Sequence, residues 1–102
     1  MPLCKVCRTR EAVTRFGCQP FEVEVAPGHV LSVPSFVCCD PCARAVRECD
    51  YLRVGDLLAS ASVAATGNDP GPPLVRGCHR LAAAMVACVD IEDTMVAGRG
   101  HA

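Results

Sequence analysis

Residues 4–7 read Cys-Lys-Val-Cys and residues 39–42 read Cys-Asp-Pro-Cys. Each stretch is a pair of cysteines with two residues between them. That spacing lets the backbone turn so that both sulfur atoms of a pair reach the same ion. A structural zinc ion takes four ligands in a tetrahedron, which two such pairs supply. The predicted ligands of this closed zinc site are Cys4, Cys7, Cys39 and Cys42.

The composition favours a metal over disulfides. The chain has 102 residues, nine cysteines, no tryptophan and only 4% aromatic residues, so a small core would benefit from a cross-link. An odd number of cysteines leaves one thiol over in any complete disulfide pairing. Residues 1–7 lack the apolar run of a signal peptide, and we expect a cytoplasmic protein with reduced thiols. The longest apolar run, residues 81–89, is too short for a membrane span, so no membrane association is expected.

Two other interpretations of the cysteines stay open. The paired residues could be reduced core cysteines, since free cysteine is often buried. Cys38 could replace Cys39 as a ligand, although the two-residue spacing to Cys42 favours Cys39. Cys18 is expected in a turn after Gly17, as a packed or exposed thiol rather than an auxiliary ligand. Three more are expected in the core, on apolar helical faces: Cys49, Cys78 and Cys88.

The N-terminal half has strand patterns. Residues 11–16 suit a first short strand. Residues 21–25 alternate apolar and charged side chains, which predicts a strand with one buried face. Residues 26–29, Ala-Pro-Gly-His, favour a turn, and residues 30–33 can return as the partner strand of a hairpin. Residues 36–38 are a candidate third pairing segment.

Helical patterns begin at the second cysteine pair. Asp40 is a good N-cap residue, and a helix is expected from Pro41 to about residue 52. Gly55 is expected to end or kink it, and a second short helix to follow through residues 57–65. Residues 67–73, rich in glycine and proline, predict a linker.

After the linker, apolar residues at spacings of three and four predict a helix over residues 74–89, with an extension as far as Met95 as an alternative. The acidic side chains near its end oppose the helix dipole, so we expect it to fray after Val89. The expected organisation is a zinc-binding domain over 1–54, a helical extension over 55–97 and a disordered tail over 98–102.

These features resemble the treble-clef and zinc-ribbon group of four-cysteine zinc fingers. In the treble clef a cysteine knuckle leads into a β-hairpin, and the second ligand pair lies at the entrance to a helix. Residues 4–7 match the knuckle, residues 21–33 the hairpin and residues 39–42 the helix entrance. The resemblance covers residues 4–52 and implies an α+β fold, with one or two further helices after it. It does not specify a function, because such folds serve many roles.

We expect a small zinc-binding accessory or protein-interaction module rather than an enzyme, because four thiolates leave no open position on the metal. The broad apolar stripe of residues 74–89 could form a homodimer or complete the monomer core. The alternative function is nucleic-acid binding, as in a transcriptional regulator, although a pI near 6.2 and a net charge of −1 oppose it. The candidate contacts for this alternative are Arg8, Arg10, Arg15, Arg44 and Arg47.

Overall fold

A computed structural model describes residues 2–67 and 71–94 of the chain. Its elements, in chain order, are β1 (Thr14–Ala26), β2 (His29–Cys38), α1 (Asp40–Arg47), α2 (Tyr51–Thr66), α3 (Pro72–Ala87) and β3 (Val89–Thr94). The three strands form one antiparallel sheet in the order β2-β1-β3, with β1 in the centre. The expected α+β class is confirmed.

The predicted hairpin is present, with longer strands than expected. β1 pairs with β2 on either side of a turn at Pro27 and Gly28, where Gly28 has φ 79°. The Gly28 N–H donates a hydrogen bond to the Glu24 carboxylate at 3.3 Å. The predicted segments 11–16 and 21–25 merge into one strand that begins at Thr14, and 36–38 is the end of β2 rather than a separate segment. The register shifts after Gly17, which explains why the strand pattern breaks there in the sequence.

The first helix ends earlier than expected, at Arg47 rather than near residue 52. Cys49 has φ 56°, its N–H donates to the Val46 carbonyl, and the Asp50 N–H donates to the Ala45 carbonyl at 3.0 Å. This is a Schellman motif, built on a cysteine where glycine is usual. Asp50 then caps α2 by accepting from the Arg53 N–H at 3.3 Å. The prediction that residue 55 breaks the helix is therefore wrong.

Gly55 instead lies inside α2, where it allows α2 and α3 to pack closely. A Cβ at this position would lie 2.9 Å from the Cα of His79 in α3. A similar contact joins α3 to the sheet, because a Cβ at Gly77 would lie 2.5 Å from the carbonyl oxygen of Val25 in β1. Both glycines lack a side chain where two backbones approach each other.

The C-terminal part differs most from prediction. α3 ends at Ala87, and the next residues form β3, which pairs antiparallel with β1. The alternative in which the helix reaches Met95 is wrong, because residues 89–94 are a strand; Met95 itself and the tail 98–102 lie outside the described residues. The acidic residues of this segment would oppose the dipole at the end of a helix. In β3 their side chains are exposed to solvent instead.

The core lies between the sheet and the helices. Phe16 and Phe36 pack with ring centroids 5.4 Å apart, and Val6, Val54 and Ala82 are fully buried around them. α3 supplies several buried residues to this core, namely Gly77, Cys78, Ala82 and Met85. The 74–89 stripe therefore completes the monomer core at least in part.

The predicted boundary between residues 54 and 55 falls inside α2, and β3 brings the C-terminal part back to the N-terminal sheet. The domain division remains a prediction. None of the helices in the described parts of the chain is long and apolar enough to cross a membrane.

Candidate metal centre

The structure brings the four predicted cysteines together. The Sγ atoms of Cys4, Cys7, Cys39 and Cys42 all lie within 4.8 Å of one another, and those of Cys7 and Cys39 are 3.7 Å apart. A tetrahedral ion with metal–sulfur bonds of about 2.3 Å places its sulfurs about 3.8 Å apart. The spacing of the sulfur atoms therefore suits a single tetrahedral metal ion.

The first pair lies in a tight loop before β1. The N–H groups of Val6 and Cys7 donate to the Cys4 sulfur at 3.3 and 3.4 Å, and the Arg8 N–H donates to the Cys4 carbonyl at 3.1 Å. Arg8 has φ 61°, a left-handed conformation that lets the chain turn after the second cysteine. The Lys5 N–H donates to the Val37 carbonyl at 2.8 Å and ties the loop to β2. We call residues 4–8 the knuckle.

The second pair lies where β2 gives way to α1. Cys39, rather than the expected Asp40, is the N-cap residue, and its carbonyl accepts the Ala43 N–H at 2.8 Å to close the first turn. Cys42 lies in that first turn, where the helix dipole stabilises negative charge. Both cysteines are 2% exposed. The second pair is therefore held by a buried strand-to-helix junction.

The sulfurs differ in their tendency to ionise. A hydrogen bond from the Cys38 thiol, supported by backbone N–H groups, lowers the pKa of Cys4 to about 3 despite the opposing effect of burial. Burial raises the pKa of Cys42 well above its ordinary value, and contact with Cys39 and the charge of Cys4 add to this effect. For Cys7, burial opposes ionisation, but hydrogen bonds from Thr9 outweigh it and its pKa is lowered. A central divalent cation would favour the thiolate form of all four.

Cys38 lies beside the cluster without belonging to the set of four. It is fully buried, at 0% exposure, and its contact with Cys4, followed by burial, raises its pKa far above the ordinary value. This shift favours the thiol form of Cys38 beside the Cys4 sulfur. The preference for Cys39 over Cys38 agrees with this geometry.

Among the cysteines with described side chains, Cys49, Cys78 and Cys88 are not part of the cluster. Cys78 is buried as predicted, and Cys88 is half-buried. The core prediction for Cys49 is wrong, because α1 ends before it and the turn exposes it. Cys18 lies within β1 rather than in a turn, and its side chain is outside the described part of the chain.

Two of the five candidate nucleic-acid contacts are paired with carboxylates. The Arg47 Nε lies 2.7 Å from the Glu92 Oε2 and joins α1 to β3, and the Arg44 Nη2 lies 3.6 Å from the Asp40 Oδ2. Arg8, Arg10 and Arg15 have exposed side chains outside the helices. Nothing in this arrangement specifically favours nucleic acid, and the role stays a prediction.

The knuckle, hairpin and helix follow one another in the order that the treble-clef resemblance implies. No protein-family model, no curated protein and no solved structure matches the chain. The treble-clef assignment therefore stays a prediction, while the cluster of four cysteines is a feature of this structure.

Proposed function

We propose that this chain is a small zinc protein whose zinc ion is structural and is bound by Cys4, Cys7, Cys39 and Cys42. The observation that carries the proposal is the approach of all four sulfurs to within 4.8 Å. A tetrahedral set of four thiolates suits zinc or an iron–sulfur centre rather than magnesium or calcium. Two C-x-x-C pairs that meet at one point favour a single zinc ion.

A structural role follows from the number and burial of the ligands. Four thiolates complete the tetrahedron and leave no position for water or substrate. Cys4, Cys39 and Cys42 are each 2% exposed or less, so solvent reaches the centre mainly past Cys7. We infer that the chain is not a zinc enzyme.

We propose a cytoplasmic accessory or protein-interaction role for the folded chain. Its support is three exposed apolar side chains on the outer strands: Val30 and Leu31 on β2 are 55% and 46% exposed, and Ile91 on β3 is 59% exposed. Large apolar side chains on the outer strands of a sheet are typical of surfaces that meet a partner. A homodimer through residues 74–89 is less favoured, because several side chains of that stripe are buried in the monomer.

Elemental analysis of protein purified without added metal tests the central proposal. We expect close to one zinc per chain and little iron, and we expect a strong chelator to abolish cooperative unfolding. A folded, reduced protein with no bound metal would refute the zinc site, and stoichiometric iron would refute the choice of metal. Sedimentation of the zinc-loaded protein at micromolar concentrations tests the oligomeric state, and a stable dimer would contradict our preference for a monomer.

A further inference from the structure

Two adjoining cavities lie between the β1–β2 hairpin and helices α2 and α3. Their volumes are about 370 and 440 Å³, and they share the side chains of Arg8, Leu31, Leu58 and Leu81. Each volume falls within the range of roughly 300–1,000 Å³ that small-molecule sites occupy. We call the two together the hairpin cleft.

The walls of the cleft are mainly apolar, and the charged side chains that line it within the described parts of the chain are cations. Leu74, Leu81 and Met85 form the apolar wall on α3. Leu31 and Phe36 line the cleft from β2. Among the described residues, the charged ones that line it are Lys5 and Arg8, both positive. No carboxylate from residues 2–67 or 71–94 lines it, although the whole chain has 11 acidic and 10 basic residues. This lining complements a ligand that has an apolar body and an anionic end.

The two cations are positioned by the metal-binding loop. The backbone hydrogen bonds of Lys5 to β2 and of Arg8 to Cys4 fix where both side chains leave the knuckle. Within residues 2–67 and 71–94, neither side chain has a carboxylate at ion-pairing distance. Their charges are therefore available to a ligand.

We propose that the hairpin cleft binds a single-chain amphiphile with a carboxylate head group. Its alkyl chain lies between the hairpin and α3, and its head group lies at Arg8 and Lys5. Each methylene group that enters the cleft raises the affinity about fourfold. The guanidinium of Arg8 can donate two parallel hydrogen bonds to a carboxylate, which a neutral alcohol cannot match.

Calorimetric titration of the full zinc-loaded chain with hexanoate, octanoate and decanoate tests the proposal. We expect one ligand per chain and an affinity that rises about fourfold per methylene. The NMR signal of the Met85 methyl group, which lies in the cleft wall, should shift when the ligand binds. Decanol should bind at least tenfold more weakly than decanoate, because it lacks the charged head group.

Two matched pairs of variants test the two ends of the site. Arg8→Gln should lower decanoate affinity at least tenfold and leave decanol affinity within about twofold, whereas Arg10→Gln, outside the cleft, should change neither. Ser62→Phe should block the cleft that Ser62 lines, whereas Ser60→Phe, on an exposed part of the same helix, should not.

The metal content of each variant separates this proposal from the zinc site. Wild-type protein that holds one zinc and binds no decanoate would overturn the cleft proposal and leave the zinc proposal intact. Binding that is independent of chain length, or that Arg10→Gln weakens as much as Arg8→Gln, would also overturn it.

Discussion

Cys38 and Cys39 are neighbours in sequence and are equally buried, at 0% and 2% exposure, but the structure gives them different relations to the metal centre. The Cys39 sulfur is one of the four that converge, whereas the Cys38 thiol only contacts the Cys4 sulfur. We therefore predict different outcomes for Cys39→Ala and Cys38→Ala. Because both changes remove the same atom from a buried position, their loss of packing should be similar.

The expected magnitudes follow from the two roles. Structural zinc in small domains contributes about 10–16 kcal/mol of apparent binding free energy, or roughly 2.5–4 kcal/mol for each of four thiolates. Cys39→Ala should thus weaken zinc binding by about a hundredfold to a thousandfold. Cys38→Ala removes only a group that supports a ligand, and the loss of such a group lowers metal affinity about 10–100-fold. The number of coordinating thiolates falls only in Cys39→Ala.

Cobalt substitution measures this number directly. The thiolate-to-cobalt charge-transfer absorption should fall by about a quarter in Cys39→Ala and stay at the wild-type intensity in Cys38→Ala. Competition with a zinc chelator gives the affinities of the same samples. If Cys38→Ala loses a thiolate and Cys39→Ala does not, the ligand assignment is wrong. If neither does, the set of four cysteines does not bind the metal.

Three further outcomes are expected. Gly77→Ala should destabilise the protein by about 1 kcal/mol in chemical denaturation, because the new Cβ would lie 2.5 Å from the Val25 carbonyl oxygen. Alanine is a better helix former than glycine, so greater stability would contradict this packing. In the native zinc-loaded protein, an alkylating reagent should modify exposed Cys49 before buried Cys78. Peptide mass mapping measures both reactions, and equal alkylation rates at the two cysteines would contradict this order. Apparent zinc affinity should rise more than tenfold per pH unit near neutrality, because several thiols must lose protons on binding and burial raises the pKa of Cys42. An affinity that does not depend on pH would refute thiolate ligation.

The metal centre and the hairpin could be predicted because their signals are local. The spacing of two residues within each cysteine pair is set by the geometry of one ion, and residues 21–25 show strand alternation without knowledge of the rest of the chain. The preference for Cys39 over Cys38 used the same spacing rule and agrees with the structure.

The errors arise where local signals conflict with tertiary contacts. Cys49 adopts a left-handed conformation that glycine usually takes, so the end of α1 has no sequence marker, whereas the glycine at position 55 suggested an end that does not exist. Gly55 serves a contact with α3, which is a distant part of the chain. β3 depends on a distant partner as well, because its pairing with β1 cannot be read from residues 89–94 alone.

A metal ion at the four-cysteine cluster would explain how so small a core can support so long a hairpin. Its sulfurs come from the loop before β1 and from the junction after β2, so one ion would fasten both ends of the hairpin that spans residues 14–38. By the chain-entropy relation used for cross-links, joining Cys4 to Cys42 restricts the unfolded chain by about 4 kcal/mol, a large share of the stability of a typical small domain. The same knuckle directs Lys5 and Arg8 towards the hairpin cleft. An ion bound at this cluster would therefore also hold the backbone from which both cations reach the cleft.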